Sequence, residues 1–278
     1  MIRRDVPPAE VVSHAQGLQQ DFDELWVVED LPWAGGISQL SAVLEATNGV
    51  VVGHGIAPAP FRNAAALAME WATLAELHPG RVSCGVGHGV QSWMGEIGAR
   101  VASPLTLLSE TIDAARRLLA GDEVSTAGRY VNLEAVKLVF PPAVVPPVSA
   151  GVVGPRSLRV SGAVADGTIL PEGHGPDDIR SALRHIGVGS AEGAHGRPHR
   201  LTVFVAYHLG NEATMAPRNP AAIVGWEVVT EDHEEAAAEL ASLFDAGAHS
   251  VVLVPLGIDP AAQLAEAARQ VVPLLRAS

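Results

Sequence analysis

The chain is predicted to fold as an α/β protein, a single (β/α)8 TIM barrel over residues 1–278 with an insertion between strands 4 and 5. Three observations predict it. Short β-rich runs alternate with Ala- and Leu-rich helical stretches along the chain, the pattern of a parallel sheet with helical crossovers. Most of these runs are continuously apolar, Val50-Val51-Val52 and Val251-Val252-Leu253-Val254 among them, which suits strands covered on both faces. The length of 278 residues, 48% hydrophobic and 18% charged, suffices for one such barrel, which commonly takes about 250.

The elements follow in order. The first strand, 1–5, is a short polar stub, Met-Ile-Arg-Arg-Asp. A helix at 8–20 leads to the second strand at 24–29, and a helix at 36–45 to the third at 49–56. A helix at 63–76 precedes the fourth strand at 81–86. In the next helix, 105–119, Leu105, Leu108, Ile112, Ala115 and Leu119 keep one face apolar. Ser103-Pro104 offers it an N-cap and a first-turn proline. Residues 121–146 fit no strand–helix unit and read as a hairpin-like insertion, 123–126 with 130–133, followed by Pro141-Pro142 and Pro146-Pro147. Strands at 147–152, 167–170, 201–207 and 250–255 complete the eight, with helices at 156–164, 177–188, 232–246 and 260–275. Gly247 is placed to end the helix before the last strand.

Composition removes several functions. The net charge is −13 and Lys137 is the only lysine, so neither a nucleic-acid surface nor a polybasic membrane patch is expected. Cys84, the only cysteine, lies in an apolar run and reads as a small buried side chain; no intrachain disulfide can form. No basic leader and no unbroken apolar run of about 18 residues is present, so a cytoplasmic protein is expected. His195 and His199 are four apart, but Gly196, Arg197 and Pro198 between them preclude a helical metal site, and none is expected elsewhere. The chain has no Gly-x-Ser-x-Gly elbow and no lysine near a strand end, which argues against serine-hydrolase and Schiff-base chemistry.

Functional groups of such barrels gather where strands end at their C-termini. Four clusters fall there: Glu29-Asp30-Leu31-Pro32-Trp33, Gly53-His54-Gly55-Ile56-Ala57-Pro58, Gly85-Val86-Gly87-His88-Gly89, and Gly151-Val152-Val153-Gly154-Pro155-Arg156-Ser157. The second and third lack the spacing and the later acidic residue of a dinucleotide fingerprint. The fourth has the makings of a phosphate site, with glycines for close backbone approach, helix-start N–H groups, a cation at Arg156 and a hydroxyl at Ser157. A plain strand–helix turn with Pro155 at the first helical position explains the same residues equally well. His88, between two glycines, has a structural reading beside its catalytic one, and Asp30 reads as a turn cap or a functional carboxylate.

Order and spacing add what no single cluster carries. Phe22 to Asp30, Pro60-Phe61-Arg62-Asn63, Glu70-Trp71-Ala72-Thr73-Leu74, Leu77-His78-Pro79-Gly80-Arg81, Gly85 to Gly89 and Trp93 follow one another at family spacing. Ser103-Pro104, Glu110, Gly128, Phe140-Pro141-Pro142, Gly154-Pro155-Arg156 and Ala165-Asp166-Gly167-Thr168-Ile169-Leu170 continue the series. Over more than half its length the chain thus resembles the luciferase-like monooxygenase superfamily, and within it the coenzyme F420-dependent reductases and dehydrogenases.

The resemblance implies hydride transfer between F420 and a small organic substrate. An FMN-dependent monooxygenase or reductase is the alternative reading, and a non-catalytic cofactor-binding relative the third. It implies a cofactor ring at the barrel mouth, backed by a bulge in the third strand with a non-prolyl cis peptide at Gly55-Ile56. Ala57, Gly87, His88 and Gly89 are then expected to border the ring. Gly151, Val152, Val153, Gly154, Pro155, Arg156 and Ser157 are expected to bind its phosphate. Many F420 enzymes place a histidine after the acidic residue that ends the second strand; here the pair is Glu29-Asp30, so the proton partner is expected to be Asp30 or His88. Arg62, Arg156 and Arg159 are the cations on hand for an acidic oligoglutamate tail. A homodimer is also implied, since such relatives often pair.

Overall fold

Parallel strands dominate the computed structural model, which describes residues 1–193, 198–216 and 225–277. After helix α1 (Pro8–Leu18) come β1 (Glu24–Val27), α2 (Gly36–Ala46), β2 (Val51–Pro58), α3 (Ala64–Leu77) and β3 (Val82–Gly87). Helices α4 (Gln91–Glu96) and α5 (Pro104–Leu119) lead to a hairpin, β4 (Val124–Ala127) and β5 (Asn132–Val136). The sheet resumes with β6 (Val148–Gly151), α6 (Pro155–Val164), β7 (Gly167–Leu170), α7 (Pro176–Glu192) and β8 (Arg200–Leu209). Then follow β9 (Val228–Thr230), α8 (His233–Asp245), β10 (Ser250–Pro255), α9 (Pro260–Gln270) and α10 (Val272–Ala277).

The main sheet runs β1-β2-β3-β6-β7-β8-β10, each neighbour parallel, with β9 also on β8. The seven strands on the main path are the seven that the apolar runs marked. The stub at 1–5 forms no strand. Instead, Ile2 N–H donates to Trp26 O at 2.9 Å and Met1 N to Leu253 O at 2.6 Å, so two residues bridge β1 and β10. The Arg3 guanidinium finishes the seam by donating to Pro255 O and Gly257 O, both at 3.2 Å. A polar side chain does there what a longer strand would do with backbone.

The sheet curls around a small apolar core of Trp26, Ile169, Phe204, Val252 and Val254, against which Ile56 packs half-buried. Trp26 and Phe204 meet edge to face at 5.5 Å between centroids. Glycine makes room for them: a Cβ at Gly53 would lie 2.3 Å from the Trp26 ring, and one at Gly55 2.7 Å from Phe204. The larger apolar core lies between the sheet and the helices, built from residues such as Leu40, Leu44, Leu67, Trp71, Ile112 and Leu118. Cys84 is buried there, as its run implied, and burial pushes its thiol pKa up.

At the opposite end of the strands from the glycine-rich turns, Arg116 forks onto Asp166 at 2.7 and 3.0 Å, and Asp166 also accepts Val148 N–H at 3.0 Å. This ties α5 to β6 and β7. The β4–β5 hairpin stands off the main sheet and is antiparallel. Its turn is organised by Glu110 of α5, whose carboxylate accepts N–H groups of Arg129, Tyr130 and Val131 at 2.8, 2.8 and 2.9 Å. A Cβ at Gly128 would sit 2.6 Å from that carboxyl, which explains why Glu110 and Gly128 occur together.

Several expected boundaries move. Ser103 sits at the N-cap of α5 but makes no side-chain cap; its hydroxyl pairs with Thr106 Oγ1 at 2.7 Å. The helix expected at 260–275 breaks at Val271, because Pro273 has no N–H to continue the ladder. Strand β9 and helix α4 have no counterpart in the sequence reading, being too short to show a period. Gly247, with φ +109°, follows α8 as expected. Among the described residues no helix is long and apolar enough to cross a membrane. His195 lies outside the described residues.

Candidate functional site

Three neighbouring strands build a shelf. Strand β2 shifts register against β3 between His54 and Ala57, and the Gly55-Ile56 peptide is cis, as expected at this position. Ile56 points inward across β3 and β6, where Gly87 and Gly151 are paired. A Cβ at Gly87 would lie 2.2 Å from Ile56 Cδ1, one at Gly151 2.4 Å from the same atom, and one at Gly85 2.8 Å from Cγ2. Gly151 is expected from sequence to allow a ligand's close approach and Gly87 to border the ring; the immediate reason for both is Ile56, which fills the slot they leave. Gly89 has a separate need, a turn with φ +70°.

The turn after β6 opens α6. Gly154 is its N-cap, extended at φ −75° and ψ 151°, and no side chain caps the first turn. Ser157 does not cap either; its Oγ donates to Gly154 O at 2.9 Å. Val153, Pro155 and Arg156 are exposed, Val152 is buried, and Arg156 has no hydrogen bond or ion pair among the described residues. Helix-start N–H groups without side-chain acceptors, with a partnerless guanidinium beside them, are what a phosphate needs. The other two arginines expected near an acidic tail are engaged elsewhere. Arg159 pairs with Glu192, and Arg62 with Glu29 and Glu70.

His88, just past β3, is half-buried, and its Nδ1 is buried without a hydrogen-bond partner among the described residues. Burial lowers its pKa and favours the neutral ring, and contact with the Pro104 backbone opposes this. Asp30, beyond β1, is about a third exposed and ion-paired with Arg4 at 3.0 Å. The Arg4 guanidinium also lies over the Trp33 ring at 4.5 Å, and Trp33 stands 6.2 Å from Trp93, so an aromatic and charged wall rises beside the shelf strands. Glu172 was missed by the sequence reading. It lies just past β7, half-buried, and burial raises its carboxyl pKa, with Asp30 adding to the rise and Arg4 opposing it. The rule that singled out Asp30 and His88, position just after a strand, would have found it.

Glu29, next to Asp30, turns into the wall instead. It is 5% exposed and takes a fork from Arg62, Nη1 to Oε2 at 2.7 Å and Nη2 to Oε1 at 2.6 Å, plus Gly36 N–H at 3.1 Å. Burial alone would raise this carboxyl; contacts from His54 and Arg62 outweigh it and hold the pKa at about 2. Of those contacts the fork is the better made, because His54 Nε2 stands 3.5 Å from Glu29 Oε2 without forming a bond. His54 is fully buried, and its Nδ1 accepts Trp71 Nε1–H at 3.4 Å. Beside this cluster a cleft of about 420 Å³ is lined by Leu31, Pro60, Phe61, Arg62, Ile97 and Ala99.

The sequence profile of the family described as luciferase-like monooxygenase matches residues 3–269. Among curated proteins, the 5,10-methylenetetrahydromethanopterin reductase of Methanolobus tindarius is 28% identical over 246 residues, 88% of this chain and 70% of that protein. The F420-dependent glucose-6-phosphate dehydrogenase of Nakamurella multipartita is 29% identical over 196 residues, 64% of this chain and 57% of that protein. Among solved structures, an F420-dependent secondary alcohol dehydrogenase in complex with an F420-acetone adduct superposes with a TM-score of 0.86 at 19% identity, over 98% of this chain and 96% of that one.

Proposed function

Because the chain belongs to the luciferase-like monooxygenase family, we propose that it is an oxidoreductase moving a hydride between coenzyme F420 and a small organic substrate. The site is the C-terminal mouth of one (β/α)8 barrel, closed by the Met1–Ile2 bridge, with the β4–β5 hairpin as an insertion. The observation that carries this reading is the shelf of Ile56, Gly87 and Gly151 on adjacent strands, running directly into the uncapped start of α6. The name of the Nakamurella multipartita relative, an F420-dependent dehydrogenase, favours F420 over FMN.

Ile56, with Gly55, Ala57, Gly87, His88 and Gly89, supports the ring. Residues 151–157 hold the phosphate through their backbone N–H groups and Arg156. When bound, the cofactor supplies the hydride chemistry. The chain's own task is to orient, to exclude water and to manage a proton. Asp30, paired with Arg4, is the carboxylate on hand; His88, whose pKa burial lowers, and Glu172, whose pKa burial raises, are the other groups able to exchange a proton.

Fluorescence titration of the purified protein with F420 and with FMN tests this. Micromolar F420 binding is expected. Binding of FMN with none of F420 overturns the cofactor assignment and leaves the FMN-dependent reading; binding of neither overturns both.

A further inference from the structure

The buried charges behind β2 play no part in the proton chemistry above, and the stability they contribute is not unique to charges. Desolvating a buried ion pair costs as much as its attraction returns, and apolar packing of equal volume is often as stable. What an Arg–carboxylate fork adds is direction, since both bonds are made at one relative orientation only.

That orientation is transmitted to one residue. Glu29 leaves β1, Trp71 belongs to α3 and Gly36 opens α2, and these three border His54; Arg62, which follows β2, is paired with Glu29, and Glu70 of α3 with Arg62. Glu70 Oε2 lies 3.0 Å from Arg62 Nε without hydrogen-bond geometry and braces the guanidinium by charge alone. A Cβ at Gly36 would stand 2.2 Å from His54 Nε2, so the ring occupies the space that any side chain there would need. His54 is where the β2 register shift begins, two residues before Ile56. On the inner face Ile56 is held in the glycine slot. The shelf is therefore gripped from both sides, by packing within and by charge without.

We infer that Glu29 and Arg62 are positioning residues: their fork, acting through His54, sets the placement of the Ile56 shelf beneath the cofactor ring. The link to the ring rests on the functional reading above; the link to the shelf does not.

The test separates the two. Arg62→Lys keeps the charge and removes the fork, and Glu29→Gln keeps the shape and removes the charge. In cofactor-free protein, hydrogen exchange of a peptide covering residues 51–58 is expected to quicken about tenfold in both variants, the scale of one charge-assisted hydrogen bond. A peptide covering 200–209 is expected to be unchanged. Glu70→Gln, which removes only the brace, is expected to give a smaller rise. With F420 added, both main variants are expected to bind about tenfold more weakly and to alter the visible circular dichroism of the bound chromophore. Unchanged exchange at 51–58 in the variants that fold, or an equal rise at 200–209, overturns the clamp. Unaltered F420 affinity and dichroism despite faster exchange overturns its action on the ring. Wild-type protein that binds neither F420 nor FMN overturns the functional reading, while the cofactor-free exchange result still judges the clamp. Should Arg62→Lys fail to fold, Glu29→Gln decides.

Discussion

An alanine placed at Gly87 or Gly151 should be rescued by trimming one methyl group from Ile56. The alanine Cβ would stand 2.2 Å from Ile56 Cδ1 at position 87 and 2.4 Å from it at position 151. Apolar carbons rest about 3.5–4.0 Å apart, so each substitution must push its neighbours by an ångström or more. Overpacking of this kind costs about 1–3 kcal/mol. Neither glycine has a positive φ, so the backbone adds no further penalty. Ile56→Val alone loses Cδ1, about 0.5–1.5 kcal/mol and toward the low end for a half-buried side chain. With Cδ1 gone, the next contacts are 3.2 Å to Gly151 O at position 87 and 3.3 Å to Ile56 Cγ2 at position 151. Urea unfolding of the single and double variants should therefore show the pairs less destabilised than the sum of their parts by about 1 kcal/mol or more. Gly85→Ala is the control, since its Cβ would lie 2.5 Å from the backbone oxygen of His54, which Ile56→Val leaves in place. Additive energies at 87 and 151, or equal rescue at 85, would refute the slot.

Two further outcomes follow from charges. The Glu29 carboxyl lies at about 2 in the folded protein against 4.5 when free, a difference of about 3 kcal/mol. Because the folded value is depressed, that stability is present above about pH 4.5 and drains as pH falls from there toward 2. Unfolding of wild type and Glu29→Gln should therefore converge across that window, and curves that stay parallel would contradict it. Arg156→Ala should weaken F420 binding about tenfold, with the unfolding midpoint unchanged because the side chain is exposed and has no partner among the described residues. Unaltered affinity would move the phosphate elsewhere.

The strand order and the places where strands end were legible because both are local: continuous apolar runs, then glycine, then a helix start. What escaped is what depends on partners distant in sequence. Nothing in Gly87 or Gly151 announces Ile56, and a glycine kept free for a neighbouring side chain reads the same as one kept free for a ligand. Glu29 and Asp30 are adjacent carboxylates, and which one faces inward depends on β1 stopping at Val27, two residues earlier than its run suggested. Arg62 and Arg159 were legible as cations but not as spent ones, since Glu29 and Glu192 lie 33 positions away from each. Glu172 stands just past its strand as His88 does, but the charges of Asp30 and Arg4 that bear on its carboxyl lie far off in sequence. The 1–5 stub was read by its missing β pattern, whereas the bonds of Met1, Ile2 and Arg3 do the joining.

The hairpin turn held by Glu110 has a consequence for how this chain tolerates change. Its shape is imposed from a helix outside the hairpin, through three backbone N–H groups that any residue but proline supplies. Of the side chains at 129–131 only Arg129 is exposed and open to replacement; the Tyr130 hydroxyl accepts Ser103 N–H at 2.8 Å, Val131 is buried in the core, and Glu110 and Gly128 are fixed by the turn itself. The hairpin is a graft point, where a foreign loop tip of equal length should be accepted so long as its amides converge on that one carboxylate and the Tyr130 hydroxyl and buried Val131 are kept.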